Sequence, residues 1–385
     1  MDFEFTQEQK DLRDGIRDFI KKECPRGYLR ELDEKEEYPH EIWAKLADRG
    51  WLGLAVPEEY SGSGGTLLDV VIVVEELSKA MTALGTMYLN NSCFGANSVG
   101  AYGTEEQKTQ LLPGIAKGSI KMCFGVTEPN TGVDTLSLTT SAVDEGDYFV
   151  VNGQKVFITG AHVANYIVLL ARSNKNVKKK SEGLSILLTD TKLPGIEIRL
   201  MKKLGLRAVG TCEIFLTDVK VPKWFLLGEK DNGWKFILHT MNNERITVSA
   251  YRIGTALAAF EDALKYSEER IVFQRPIGQF QAIQHRLAEM YVDIELSRLM
   301  VYKAAWLQMQ GKPCGMEANM AKLASSETVV RVCESGMRIM AGYGYTMEYD
   351  MQRYYRDAIL APTGTATQEL IKSFIGVQLG LPKSF

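Results

Sequence analysis

Glu244 stands where a carboxylate is costly. From Gly233 onward, Ile237, Met241, Val248 and Tyr251 fall at i, i+4, i+11 and i+14 of a helical repeat, and Glu244 fills i+7 of the same stripe. The spacing assigns it to the buried face. A carboxylate taken out of water loses the hydration that stabilises its charge, so its pKa climbs toward neutrality. That is the property required of a general base that removes a proton from a weakly acidic C–H bond. A structural ion pair with Arg245 or with a distant arginine fits the same pattern, and periodicity alone does not separate the two readings.

Other routes to catalysis are not written in the chain. The six cysteines (Cys24, Cys93, Cys123, Cys212, Cys314 and Cys333) are scattered, with no Cys-x-x-Cys pair and no histidine cluster beside them. That spacing argues against a metal site or a disulfide framework and for a reducing, cytoplasmic compartment. No Gly-x-Gly-x-x-Gly follows a strand-like run and no Gly-x-x-x-x-Gly-Lys occurs, so a dinucleotide would bind by neither the Rossmann nor the P-loop route. With 385 residues, 45% of them apolar and 24% charged, and a net charge of −3, the chain reads as an ordinary globular protein of two or three domains. Nothing in that balance calls for nucleic acid.

The start, Met1-Asp-Phe-Glu-Phe-Thr6, has no basic segment leading into an apolar one. Residues 81–103 are uncharged but include Asn90, Asn91, Ser92, Asn97 and Ser98, whose polar groups would lack partners in hydrocarbon. A buried helical hairpin is expected there rather than a membrane span. Lys178-Lys179-Lys180 lies among Asn, Ser and Glu and reads as a solvated loop tip.

The elements that must position Glu244 come in three blocks. Thr6-x-x-Gln9 is a capping-box pattern opening an amphipathic stretch to about residue 23. Residues 40–50 and 66–90 continue in helical period, split by the glycine-rich turn at 61–65. Near residue 121 the texture changes. Tyr148–Val151 and Gln154–Thr159 are β-rich runs joined at Asn152-Gly153, a type I′ hairpin signal. Short strands are expected at Tyr166–Leu170, Leu184–Leu188, Ile196–Leu200 and Glu213–Leu216. From Gly233 the chain is helical again, at about 233–268, 279–311, 315–340 and 365–379. The expected domains are therefore 1–120, 121–232 and 233–385, in the order α, β, α.

Several stretches carry more information than their periodicity. Val126-Thr-Glu-Pro-Asn-Thr-Gly-Val-Asp134 with Asn152-Gly-Gln-Lys-Val-Phe-Ile-Thr159 resembles the β-domain signature of the acyl-CoA dehydrogenases. Ala341-Gly-Tyr-Gly-Tyr-Thr-Met-Glu348 and Arg353-Tyr-Tyr-Arg-Asp357 resemble that family's second signature, and Arg270–Gln281 resembles its FAD-contacting turn. Val56-Pro-Glu-Glu-Tyr-Ser-Gly and the region from Gly205 to Pro222 match further landmarks, so the resemblance spans essentially the whole chain.

That resemblance implies an α+β multidomain fold: an N-terminal helical domain, a middle β-barrel-like or orthogonal β domain and a C-terminal four-helix bundle. It implies FAD, with Phe124, Val126 and Thr127 flanking the isoalloxazine, Phe157 over one ring face and the Thr159 hydroxyl near N5. Arg270, Phe273 and Gln281 would come from a neighbouring subunit, with Arg338 and the Gly342 and Gly344 backbone at the pyrophosphate. Thr367 and Glu369 would complete the flavin site. It also implies an acyl-CoA substrate, an electron-transferring flavoprotein as electron partner and a homotetramer. Taken singly, each of these residues has an ordinary structural explanation as core, cap or turn.

The departures matter most. Val133 and Thr131 replace the usual Ser and Gly of the first signature, and Arg338 and Ala341 replace the usual Gln and Gly of the second. Most of the family carry the base as Glu nine residues after the Arg of Arg-Asp. Nine after Arg356 is Thr365, in Gly364-Thr-Ala-Thr367, which cannot abstract an α-proton. A minority, isovaleryl-CoA dehydrogenase-like members among them, place Glu immediately before an Arg on the helix after the β domain. Here that is Glu244, in Asn242-Asn-Glu-Arg245.

The resemblance thus implies Glu244 as base, with Thr365 polarising the thioester carbonyl through its backbone N–H. Arg245 and Asn242 would contact substrate, and Asn91, in the segment bordering the acyl end, either touches substrate or caps a helix. The second half also resembles the crotonobetainyl-CoA reductase branch. Enoyl-CoA reduction and a non-redox acyl-CoA lyase on the same fold stay open as alternatives.

Overall fold

The computed structural model of the chain describes residues 4–364 and 366–383. It opens with α1 (Gln7–Glu23), α2 (Arg26–Lys35), α3 (His40–Asp48), α4 (Leu67–Ala80), α5 (Thr82–Leu89), α6 (Asn97–Tyr102) and α7 (Glu105–Ala116). Thr6 caps α1 in a full capping box with Gln9, as its spacing predicts, and Thr66 with Asp69 and Thr104 with Gln107 cap α4 and α7 in the same way.

The expected hairpin at 81–103 does not form. Alpha5, a π-helical stretch at Asn90–Ala96 and α6 follow one another without a turn. The polar residues that suggested a turn bond to nearby carbonyls instead: the Ser92 hydroxyl donates to Tyr88 at 3.2 Å and Asn91 Nδ2 donates to Ile115 at 3.2 Å. With these donors engaged the backbone stays helical, with a widened turn of the kind common at functional sites. Among the described residues no helix is long and apolar enough to cross a membrane.

The middle region is one sheet of eight strands: β1 (Met122–Gly125), β2 (Ser141–Asp144), β3 (Tyr148–Thr159), β4 (Tyr166–Arg172), β5 (Leu184–Asp190), β6 (Ile196–Leu200), β7 (Thr211–Pro222) and β8 (Leu226–Leu227). Their order is β6-β7-β3-β2-β4-β5-β8, with β1 parallel to β4. The apolar runs of β4 and β5 are buried over almost their whole length, which is why they read as near-continuous hydrophobic segments.

Asn152-Gly153 is not a hairpin turn. It lies inside the continuous strand β3, at a register shift against β7. The Asn152 side chain exchanges two hydrogen bonds with Asp218 across that bulge, at 3.0 and 2.8 Å. A Cβ on Gly153 would come within 2.4 Å of Thr140 Oγ1. Glycine is needed here for close approach, not for reversal.

The rest is helical: α8 (Gly233–Glu269), a two-strand ribbon of β9 (Ile271–Val272) and β10 (Arg275–Pro276), α9 (Gln281–Met309), α10 (Gly315–Met340), α11 (Gly342–Tyr345), α12 (Met351–Ala358) and α13 (Gln368–Gln378). Helices α8, α9 and α10 pack on one another and α13 lies on α10. Helix α4 lies against α8 so closely that a Cβ on Gly254 would sit 2.2 Å from the Glu75 carbonyl. Helix α12 is a junction. Arg356 Nη2 meets Asp33 at 2.5 Å and its Nη1 donates to the Leu204 carbonyl, while Asp357 accepts the Leu206 N–H at 2.6 Å. The second signature thereby joins all three blocks and fixes where the following turn begins.

Candidate active site

Glu244 lies on the first part of α8, deep in the protein but with residual accessible surface. Burial pushes its carboxyl up to about 7, against the pull of Arg245, Arg252 and Lys322. Among the described residues no cation comes within ion-pairing distance of it and no donor bonds its carboxylate. The structural ion pair that would have explained a buried glutamate is absent. Arg245, one residue on, leans instead over the Phe374 ring at 5.4 Å and contacts Asn242 Oδ1 at 3.5 Å. Asn242 is thereby tied to Arg245.

The π-helical stretch faces this turn of α8. Burial and, after it, the Glu244 charge raise the Cys93 thiol well above its ordinary range, so Cys93 is an inert neighbour of the carboxylate. Phe94 stacks on Phe124 with ring centroids 4.5 Å apart. Asn90 Nδ2 donates to the Thr159 carbonyl at 3.2 Å. Met241, one turn before Glu244, shares an apolar cluster with Phe124 and Val126. The fold thus brings Glu244, Phe124, Val126 and Thr159 around the junction of α8, the π stretch and the sheet.

Phe157 is 64% exposed near the end of β3 and has φ +60°, an uncommon conformation for a bulky residue. The register slips between Lys155 and Ile158 at the same point, turning the ring outward. Its neighbours fix that kink, and two of them carried no role in the sequence reading. Lys155 Nζ donates to the Val126 carbonyl at 3.0 Å and to Glu128 at 2.9 Å, and the Val156 N–H donates to the Thr127 carbonyl at 3.0 Å. Glu128 also accepts the backbone N–H groups of Thr139 and Thr140. Burial alone would raise Glu128, but Lys155 and those donors hold it down at about 2, while burial lowers Lys155 to about 8. The pair is ionised at pH 7. A signal existed: Lys155 has the inward parity of Phe149 and Val151 in β3. Lys155→Met leaves Glu128 buried and unpaired, so we expect a loss of about 3–5 kcal/mol and a clearly lower melting temperature. Lys155→Met with Glu128→Gln should recover part of it, and equal melting of wild type and Lys155→Met would refute the scaffold role.

An opening of about 530 Å³ is lined by Tyr266, Arg270, Ile277, Met340, Gly342 and Tyr343. Arg270 lies over the Tyr343 ring at 5.6 Å and has no carboxylate partner among the described residues. A Cβ on Gly342 would meet nothing within 4 Å, so its backbone is open to a ligand. Phe273 nearby is 86% exposed. An outward aromatic ring in one place, and an unpaired arginine beside open glycine backbone in another, fit the ring and the phosphates of a flavin dinucleotide.

Not every candidate joins these groups. Arg338 pairs with Glu334 at 2.5 Å one helical turn away and does not line the Arg270 opening. Gln281 is exposed at the start of α9. The Thr367 hydroxyl caps α13 by accepting the Leu370 N–H, and Glu369 is exposed in the first turn of that helix. Asn91 Nδ2 donates to the Ile115 carbonyl in the last turn of α7, while its Oδ1 is buried without a hydrogen-bond partner among the described residues. Thr365 lies outside the described residues.

Three family models match consecutive parts of the chain: the acyl-CoA dehydrogenase N-terminal domain over residues 6–119, the middle domain over 123–219 and the C-terminal domain over 231–379. A probable acyl-CoA dehydrogenase of Bacillus subtilis is 40% identical over 98% of this chain and 100% of its own. A subunit of the caffeyl-CoA reductase–Etf complex of Acetobacterium woodii is 37% identical over 92% of this chain and 93% of its own. The structure of butyryl-CoA dehydrogenase from Megasphaera elsdenii superposes with a TM-score of 0.95 at 34% identity, covering 99% of this chain and 100% of that one.

Proposed function

Because the chain belongs to the acyl-CoA dehydrogenase family, whose members are FAD-dependent oxidoreductases acting on CH–CH bonds, we propose that Glu244 is the base that removes the α-proton of an acyl-CoA thioester. The absence of a counter-ion on that half-buried carboxylate among the described residues carries this reading. FAD, when bound, accepts the hydride from the β-carbon. The Lys155–Glu128 pair holds the 126–128 segment and the outward Phe157 ring that would support the flavin, and Asn90 ties Thr159 to the acyl side. Arg245 and Asn242 form the polar edge beside Glu244.

Arg270, Phe273 and Gly342 form a separate surface that we assign to the flavin phosphates and adenosine of a neighbouring subunit, in a homotetramer. The likeness to a subunit of a reductase–Etf complex supports an electron-transferring flavoprotein as partner. It also supports reduction of an enoyl-CoA as the second working direction, since the same groups serve both. The six free cysteines favour a cytoplasmic location.

Proton removal needs ionised Glu244. With its carboxyl at about 7, activity is lost as pH falls below that value, roughly tenfold per pH unit. The check is anaerobic titration of the FAD-loaded protein with straight, branched and aromatic acyl-CoAs. Flavin bleaching should gain rate through about pH 7 and level off above it. A flavin that no acyl-CoA bleaches and no enoyl-CoA reoxidises would overturn the assignment, and a rate independent of pH between about 5 and 9 would remove Glu244 from the base role.

A further inference from the structure

Among the described residues five cationic side chains are buried: Lys155, Arg245, Arg252, Lys322 and Arg353. Two have carboxylate partners, Lys155 with Glu128 at 2.9 Å and Arg353 with Asp350 at 3.2 Å. The other three have none within 4.0 Å among the described residues, and they are the three that act electrostatically on Glu244. A buried cation without an anion is expensive. Three of them beside one half-buried carboxylate call for an explanation in that carboxylate's work.

Their hydrogen bonds point to one. Arg252, 1% exposed, donates from Nη1 to Ser326 Oγ at 2.8 Å and from Nη2 to the Gly364 carbonyl at 3.3 Å. Lys322, with no exposure, reaches the Ala361 carbonyl at 3.4 Å. Ser326 in turn donates to the Lys322 carbonyl at 2.5 Å, which couples the two cations through α10. Both cations therefore grip the same turn, between α12 and α13. In most relatives, by the resemblance, that turn carries the base; here it carries Thr365.

We propose that Arg252 and Lys322 are positioning residues for proton abstraction: they hold the α12–α13 turn by its carbonyls and supply the positive charge that keeps Glu244 ionised. The inference rests on Glu244 being the base. The charged and titratable groups around Glu244 are Arg245 and Arg252 of its own helix, Lys322 of α10 and Cys93 of the π stretch. Glu369 of α13 acts on Lys322. Glu75 of α4 is engaged by Arg298 and Tyr302 of α9, and Arg353 of α12 by Asp350. Burial, and then Arg252, lower the Lys322 ammonium to about 7, so it loses its proton in the range where Glu244 does.

The test is an infrared difference titration of the FAD-loaded protein, in which the carboxyl band absent from Glu244→Gln identifies Glu244. We expect its midpoint to rise by about one pH unit in Lys322→Met and to stay at or below the wild-type value in Lys322→Arg. Turnover on butyryl-CoA, or on whichever acyl-CoA bleaches the flavin best, should fall about tenfold at a pH below the midpoint and recover at high pH. If Lys322→Met does not give folded protein, Lys322→Gln retains a donor for the Ala361 carbonyl without the charge and reads the same midpoint. An unmoved midpoint in the uncharged variant, with Glu244→Gln inactive, overturns the role of Lys322 and Arg252 alone. An active Glu244→Gln overturns the base assignment beneath it.

Discussion

Replacing Glu244 by glutamine is expected to leave a yellow protein that binds acyl-CoA but reduces its flavin about 10²–10⁴-fold more slowly. The amide keeps the size and most of the polarity of the side chain, so packing around α8 should hold. It cannot accept a proton at neutral pH. Two observations make this change decisive: among the described residues no donor bonds the Glu244 carboxylate, and the cations that act on it, Arg245, Arg252 and Lys322, have no carboxylate within 4.0 Å. Flavin content, thioester affinity and anaerobic bleaching rate are the three measurements. Unchanged affinity with a collapsed rate marks a group used in the transition state alone. A rate above about a tenth of wild type would defeat the assignment.

Moving the carboxylate is the second large effect. Glu244→Gly with Thr365→Glu should recover part of the activity that Glu244→Gly loses. The resemblance implies two family positions for the base, which must reach one α-carbon from different backbone elements. The structure links those elements: Arg252, whose charge acts on Glu244, donates to the carbonyl of Gly364, directly before position 365. Recovery should be incomplete because Ala366, where the resemblance implies a Gly after the base, has φ +64°, a left-handed conformation that costs a non-glycine residue roughly 1 kcal/mol. Adding Ala366→Gly should therefore raise activity further, while the same change in the wild-type background should matter little. Anaerobic flavin reduction by the best substrate compares the four proteins. No gain of the double variant over Glu244→Gly, with FAD and thioester still bound, would show that position 365 does not face the α-carbon.

Much of this protein was determined by local sequence. The capping threonines, the buried β4 and β5 runs and the amphipathic α1 follow from hydrogen-bonding and periodicity rules that act over a few residues. Their order, α then β then α, was legible for the same reason. Glu244 was visible too, as a charge on an apolar stripe. Where local chemistry is satisfied by distant residues, the sequence misled. Asn152-Gly153 has the composition of a hairpin turn, but Asp218 and Thr140, remote in the chain, make it a bulge within β3. The amides of residues 90–97 suggested a turn, and carbonyls such as that of Ile115 kept them helical.

The site divides along the same line. Sequence supplied a carboxylate in the wrong place for a core; only tertiary structure decided that no cation among the described residues pairs with it, because pairing depends on where Arg245 leans. Sequence named Phe157, but its outward ring and positive φ come from a register slip that Lys155 and Glu128 hold in place. Arg252 and Lys322 had no local signature at all. They lie 70 positions apart on α8 and α10, and their common grip on one turn exists only once the bundle has formed. Charges act over several ångströms whatever their separation in sequence, so the environment of a buried base is a property of the fold.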